Sequence, residues 1–198
     1  MAAPARSTDT ADASALASLA ASAGVGVVAA VVGYLASFLV IASEAREGPQ
    51  GEVPAWIGVA WYHFNAHLVE VETTGEVGPV GARDTVDLIA ASGSTNATAL
   101  YAIPPIVLVG AGVVLAVHLD ARSIGEAVVV GAPVAIGYAV VMTILALVAE
   151  TSYEGEFFGV EVSGSMSPEL LPAILLAGVL YPLVFATAGA ILAAVVRS

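Results

Sequence analysis

The 198-residue chain contains no cysteine and no lysine, and only 11% of its residues are charged. The absence of thiols excludes disulfides, a thiolate nucleophile, iron–sulfur clusters and cysteine-bound zinc. Any metal would have to be held by three histidines, carboxylates or carbonyls. The five basic residues, all Arg, form no patch that could displace counterions from phosphate, so nucleic acid is excluded as a partner. Docking on anionic lipid heads is disfavoured for the same reason. Catalytic signatures are missing too. A phosphate loop needs a lysine, and Ser163-Gly164-Ser165-Met166-Ser167 lacks the Gly-x-Ser-x-Gly of a nucleophile elbow.

What the chain has in excess is apolar surface. Hydrophobic residues make up 59% of it, and mean hydropathy is +0.94. Soluble domains sit near 45–50% apolar and about 25% charged. Four runs reach spanning length, at 22–42, 99–119, 127–149 and 170–196. The expected fold is therefore an all-α membrane protein, a single domain over 22–198 with a disordered tail at 1–21. Its loops at 43–98 and 150–169 share one side. Pro104, Pro105, Pro133 and Pro182 are expected to bend the runs they sit in. The first run, at 21 residues, exceeds the 7–15 of a signal-peptide core, and Asp9 and Asp12 spoil a basic leader, so it reads as a retained span rather than a cleaved one.

Charge sets the expected orientation. Arg6, Arg122 and Arg197 fall on the side of the termini, with Asp9, Asp12, Asp120 and Glu126. The other side holds thirteen acidic residues against Arg46 and Arg83. The positive-inside rule then places both termini in the cytoplasm and the acidic loops outside a cell membrane crossed several times. A net charge of −12 suits molar salt, where a Debye length of about 3 Å mutes carboxylate repulsion. Within the runs there is no Asp, Glu, Lys, Arg or His except His118 at an inner end, which argues against ion coupling. Small residues recur at helical spacing: Ala29, Gly33 and Ser37; Gly131, Ala135 and Ala139; Ala186, Ala190 and Ala194. They predict close packing within the bundle, with a homodimer seam as the alternative.

The outer loops carry the chemistry. Pro54 opens an amphipathic segment whose Trp56, Trp61, Tyr62 and Phe64 are expected to anchor it at headgroup depth, with re-entry into the bilayer as the alternative. His63, His67 and Glu70 are spaced four and three apart, on one side of that helix. Two imidazoles and a carboxylate so arranged could hold a divalent ion such as zinc; otherwise no cofactor is expected. Alternation over 69–73, 85–89 and 158–163 predicts short strands, pairing across the two loops into a small cap. Asn96-Ala97-Thr98 matches a glycosylation sequon, close to the second run.

Pro54-Ala55-Trp56-x-Gly58-x-x-Trp61, then Asn65-Ala66-His67, and Leu100-Tyr101-Ala102-Ile103-Pro104-Pro105 together resemble a family of small, functionally uncharacterised four-helix membrane proteins of halophilic archaea. The resemblance implies the host and the topology and carries no catalytic or binding residue. The expected function is a non-enzymatic accessory, assembly or anchoring component of the membrane, working with lipid and a membrane-protein partner. A transporter or permease component is the alternative. A metal-binding membrane enzyme using the outer histidines comes third.

Overall fold

A computed structural model describes residues 6–48, 51–157 and 159–198. In chain order, helix α1 (Arg6–Ile41) leads through the minimal strands β1 (Glu47–Gly48) and β2 (Gly51–Glu52) to helix α2 (Ala55–Asn65). The hairpin β3 (Val71–Val77) and β4 (Val80–Val86) follows, then the short helices α3 (Leu88–Ser92) and α4 (Thr95–Ala99). A single 3-10 turn, Leu100–Ala102, joins α4 to α5 (Ile103–His118). After it come α6 (Ile124–Gly131), α7 (Val134–Val148) and a second hairpin, β5 (Thr151–Phe157) with β6 (Val160–Pro168). The chain ends in α8 (Leu170–Pro172), a π-helical stretch over Ala173–Leu180, and α9 (Tyr181–Arg197).

Four helical stretches among the described residues are long and apolar enough to cross a membrane: Ala15–Ile41, Thr95–His118, Ile124–Val148 and Leu170–Arg197. They agree with the four runs read from the sequence. The first helix extends back to Arg6, into the segment expected to be a disordered tail. Of the prolines, only Pro133 interrupts a stretch by itself, in the gap between α6 and α7. Pro104 and Pro105 occupy the first turn of α5, where a missing N–H removes no helical bond, so they open a helix rather than bend one. Pro182 likewise lies in the first turn of α9, directly after the π-helical stretch.

The bundle is held by two crossings built the same way. Where α1 meets α7, a Cβ on Gly26 would collide with the Val134 carbonyl, and one on Gly137 with the Ala23 carbonyl. Where α5 meets α9, Gly112 lies against the Ala186 carbonyl and Gly189 against that of Val109. Each pair is reciprocal, so the two backbones touch on both sides of the crossing. Among the small residues singled out in the sequence, Ala29, Ala186, Ala190 and Ala194 are buried inside this bundle. Gly131 packs on Thr187 and Ala186 of α9, and Ala135 is half-buried. Gly33 and Ser37 face helix α2 instead.

At one end the loops combine into a four-stranded antiparallel sheet in the order β4-β3-β6-β5. β3 pairs with β6 over seven residues, Val71 opposite Pro168 and Val77 opposite Val162, which joins the two loops. The expected strand over 69–73 begins at Val71, and the one over 158–163 runs Val160–Pro168, with Phe158 outside the described residues. The strand expected over 85–89 ends at Val86, because the Asp87 carboxylate accepts the Ala90 N–H and caps α3. Alternation and register give the sheet two different faces. One carries Glu72, Thr74, Glu76, Arg83, Glu154, Glu156, Glu161 and Ser165; the other carries Val71, Val77, Val80, Val160, Val162 and Met166. Val71 and Met166 pack on Trp61 beside the bundle, whereas Val77 and Val80 at the far end are 56% and 71% exposed.

Candidate functional site

Between Val53 and Val69 there is no charged residue, and α2 is apolar nearly all round. A helix of that kind is a buried helix. Eight of the eleven residues of α2 are buried. The segment does not lie flat at a surface but is wedged among the long helices. Tyr34 of α1 donates its hydroxyl to the Trp56 carbonyl (2.8 Å), and the Trp61 indole N–H donates to the Ala149 carbonyl (2.8 Å) at the end of α7. Gly58 presses so closely on the turn after α1 that a Cβ would strike the Ala45 carbonyl. Trp61 and Phe64, expected as interfacial anchors, are thus core residues; Tyr62 is half-buried, and Trp56, 43% exposed, is the one indole left at the periphery.

The helix ends in a Schellman-type turn. Leu68 N–H donates to the Asn65 carbonyl (2.8 Å) and Val69 N–H to that of Phe64 (3.1 Å), with Leu68 at φ 60° where glycine is usual. The Asn65 side chain locks the return path, donating to the Val69 carbonyl (2.8 Å) and accepting from Leu88 N–H (2.9 Å). The Glu70 carbonyl then accepts from Glu169 N–H (3.1 Å), at the head of α8. His67 lies three residues before that tie, so it sits within about 10 Å of the sheet end of the bundle.

This path brings His63 and His67 together, both fully buried, with ring centroids 4.8 Å apart in an edge-to-face arrangement. The hydrogen bonds fix the tautomer of His67. Its Nδ1–H donates to the His63 carbonyl (2.8 Å), so Nε2 accepts from the Tyr138 hydroxyl (2.8 Å). Ser37 donates its hydroxyl to the Gly33 carbonyl (3.0 Å), so His63 Nδ1–H donates to Ser37 Oγ (2.9 Å). His63 Nε2 is then a buried acceptor without a partner. Tyr34 meets the His63 ring edge-on at 5.9 Å, and Tyr181 lies 4.9 Å from His67. Gly33 leaves the gap beside which the His63 ring and the Tyr138 hydroxyl both sit.

Burial disfavours the charged imidazolium in both rings. It holds His63 well below the ordinary histidine range, with neighbouring His67 adding repulsion, and pushes His67 down to about 4 despite its bond to the His63 carbonyl. Glu70 does not join them: its carboxylate is exposed and accepts from the Thr85 hydroxyl. Both His67 nitrogens are occupied, and among the described residues no three His, Asp or Glu side chains are grouped as a metal site. The three-residue ligand set expected from spacing is therefore not assembled. His118 lies far off, exposed at the other end of α5. Asn96 sits inside α4, its amide donating to Glu44 (3.0 Å). Sequence reasoning took Ser37 only as a small packing residue and missed Tyr138 and Tyr181, because each is an ordinary residue in an apolar run until α2 is folded against it.

The model of a family of unknown function (DUF7978) matches residues 1–197, and the chain belongs to that family. No curated protein and no solved structure matches it.

Proposed function

Since its family assigns no activity, we propose from geometry that this is a non-enzymatic, multi-pass component of the cell membrane that anchors a partner protein outside the cell. Both termini lie in the cytoplasm and the sheet faces the exterior, as the Arg distribution argues. The acidic, lysine-free composition supports a hypersaline host. One observation carries the reading: a four-stranded sheet clamped to the bundle leaves the far half of its apolar face, at Val77, Val80 and Val160, exposed among the described residues. Exposed apolar surface rimmed by charge marks a protein-binding patch.

The test is gentle purification from the native membrane in high salt, with mass spectrometry of retained proteins. A stoichiometric partner is expected with the natural chain and with Glu154→Gln, and should be lost with Val77→Asp/Val80→Asp. A chain that purifies alone, or a partner indifferent to the double substitution, sinks the reading. A transporter component is the second reading, favoured by the buried helix α2, the π-helical stretch and the Pro133 break. Solute flux in liposomes carrying the purified chain would support it.

A further inference from the structure

We propose that His63 and His67 form a proton-operated latch, neutral when α2 is seated among the long helices and releasing α2 when they are protonated. The reasoning starts from the hydrogen-bond count. Neutral His63 has one donor, spent on Ser37, and one bare acceptor at Nε2. A proton on Nε2 converts that partnerless acceptor into a second partnerless donor, and places a full charge on a ring with no exposed surface. His67 is tied in the opposite sense: protonating its Nε2 removes the acceptor that Tyr138 uses.

Among the described residues, no neighbour compensates the charge. α1 presents Tyr34 and Ser37 to His63, α7 presents Tyr138, α9 presents Tyr181 to His67, and each histidine faces the other. The carboxylates on the elements around α2 are engaged elsewhere: Glu70 with Thr85, Glu72 with Arg83, Asp87 with Ala90 and Tyr101. Glu76 and Glu161 stand toward the far end of their strands.

The sign follows from linkage. Both groups bind protons more weakly when α2 is seated than when it is released, so the seated state is favoured above the ordinary histidine pKa of about 6.5 and loses ground as pH falls below it. Each histidine shifts the balance by up to tenfold per pH unit in that window. Release of α2 would free the Trp61 and Asn65 ties and unseat the sheet from the bundle. The proposal does not depend on which side of the membrane the sheet occupies.

The chain supplies its own probes. It has two tryptophans, so in a Trp56→Phe variant the buried Trp61 is the sole emitter. In detergent at high salt, its emission should shift to the red with a midpoint between pH 6.5 and 4, while most helical circular dichroism is kept. In His63→Gln/His67→Gln the same shift should vanish from that window. A second probe uses the absence of cysteine: Ala66→Cys, buried beside the latch, should react with a thiol reagent at least tenfold faster at pH 5 than the pH dependence of an exposed Ala91→Cys in α3 accounts for. This arm keeps both histidines, so it decides the matter if the glutamine variant does not fold. Constant emission down to pH 4 overturns the proposal, as does an unchanged transition in the glutamine variant, simultaneous loss of all helicity, or a transition moved by a chelator.

Discussion

At the scale of single residues, one hydroxyl decides whether the buried histidines are tolerable. Tyr138 is the sole donor to His67 Nε2, and its own ring is fully buried in the core. Tyr138→Phe keeps the ring and removes the O–H, leaving a buried acceptor unpaired. Such a loss costs about 1–3 kcal/mol, which corresponds to a fall in Tm of several degrees for a chain of this size. Thermal unfolding in detergent at pH 8 checks it, and an unchanged Tm would mean that the hydroxyl does not carry this bond. The types and spacing of His63 and His67 were legible in the sequence, and so was their place on one side of a helix. What they touch was not, because Ser37 and Tyr138 are 26 and 71 residues away in the chain from their histidine partners. Glu70 shows the opposite error: helical spacing joined it to the pair, but the chain turns at Leu68 and leaves the helix before reaching it.

At the scale of elements, long apolar runs announce themselves, since roughly 20 residues without charge have few alternatives to a spanning helix. Their contacts are less transparent. The stripe Ala29, Gly33, Ser37 was readable as small residues, yet the tightest approach of α1 to α7 lies at Gly26, on a neighbouring line of the helix. Gly24 and Gly26 look equivalent in sequence, and only the fold separates them: nothing lies within 4 Å of a Cβ placed on Gly24. Gly24→Leu should therefore leave expression and Tm nearly unchanged. Gly26→Leu should force the α1–α7 crossing apart and cost several kcal/mol, as overpacked cores do. Comparing the two variants by size-exclusion profile and thermal unfolding tests the crossing, and equal behaviour would refute it. For α2, the missing charges from Val53 to Val69 were the available signal for burial, outweighed by an aromatic pattern that also fits a surface helix.

At the scale of the whole molecule, the sheet is what makes two loops one structure. A small cap pairing the loops was readable from β-branched alternation; its four-stranded extent was not, because β5, with Gly155 and two glutamates, has little strand character of its own. The Thr74 and Ser165 hydroxyls meet across β3 and β6 at 2.9 Å. Thr74→Cys/Ser165→Cys, the only thiols in the chain, should oxidise to a disulfide that closes the loops and changes gel mobility under non-reducing conditions. Failure to cross-link would contradict the register. That register also imposes an order on biosynthesis. The two hydroxyls are 91 residues apart, so at 5–20 residues per second the ribosome delivers β6 roughly 5–20 s after β3. Throughout that interval β3 has one edge without its partner and the seat of α2 lacks α9, and for most of it α7 is missing as well. A nascent chain stalled after its second long helix would expose an open strand and two histidines not yet desolvated, a half-protein for quality control to recognise.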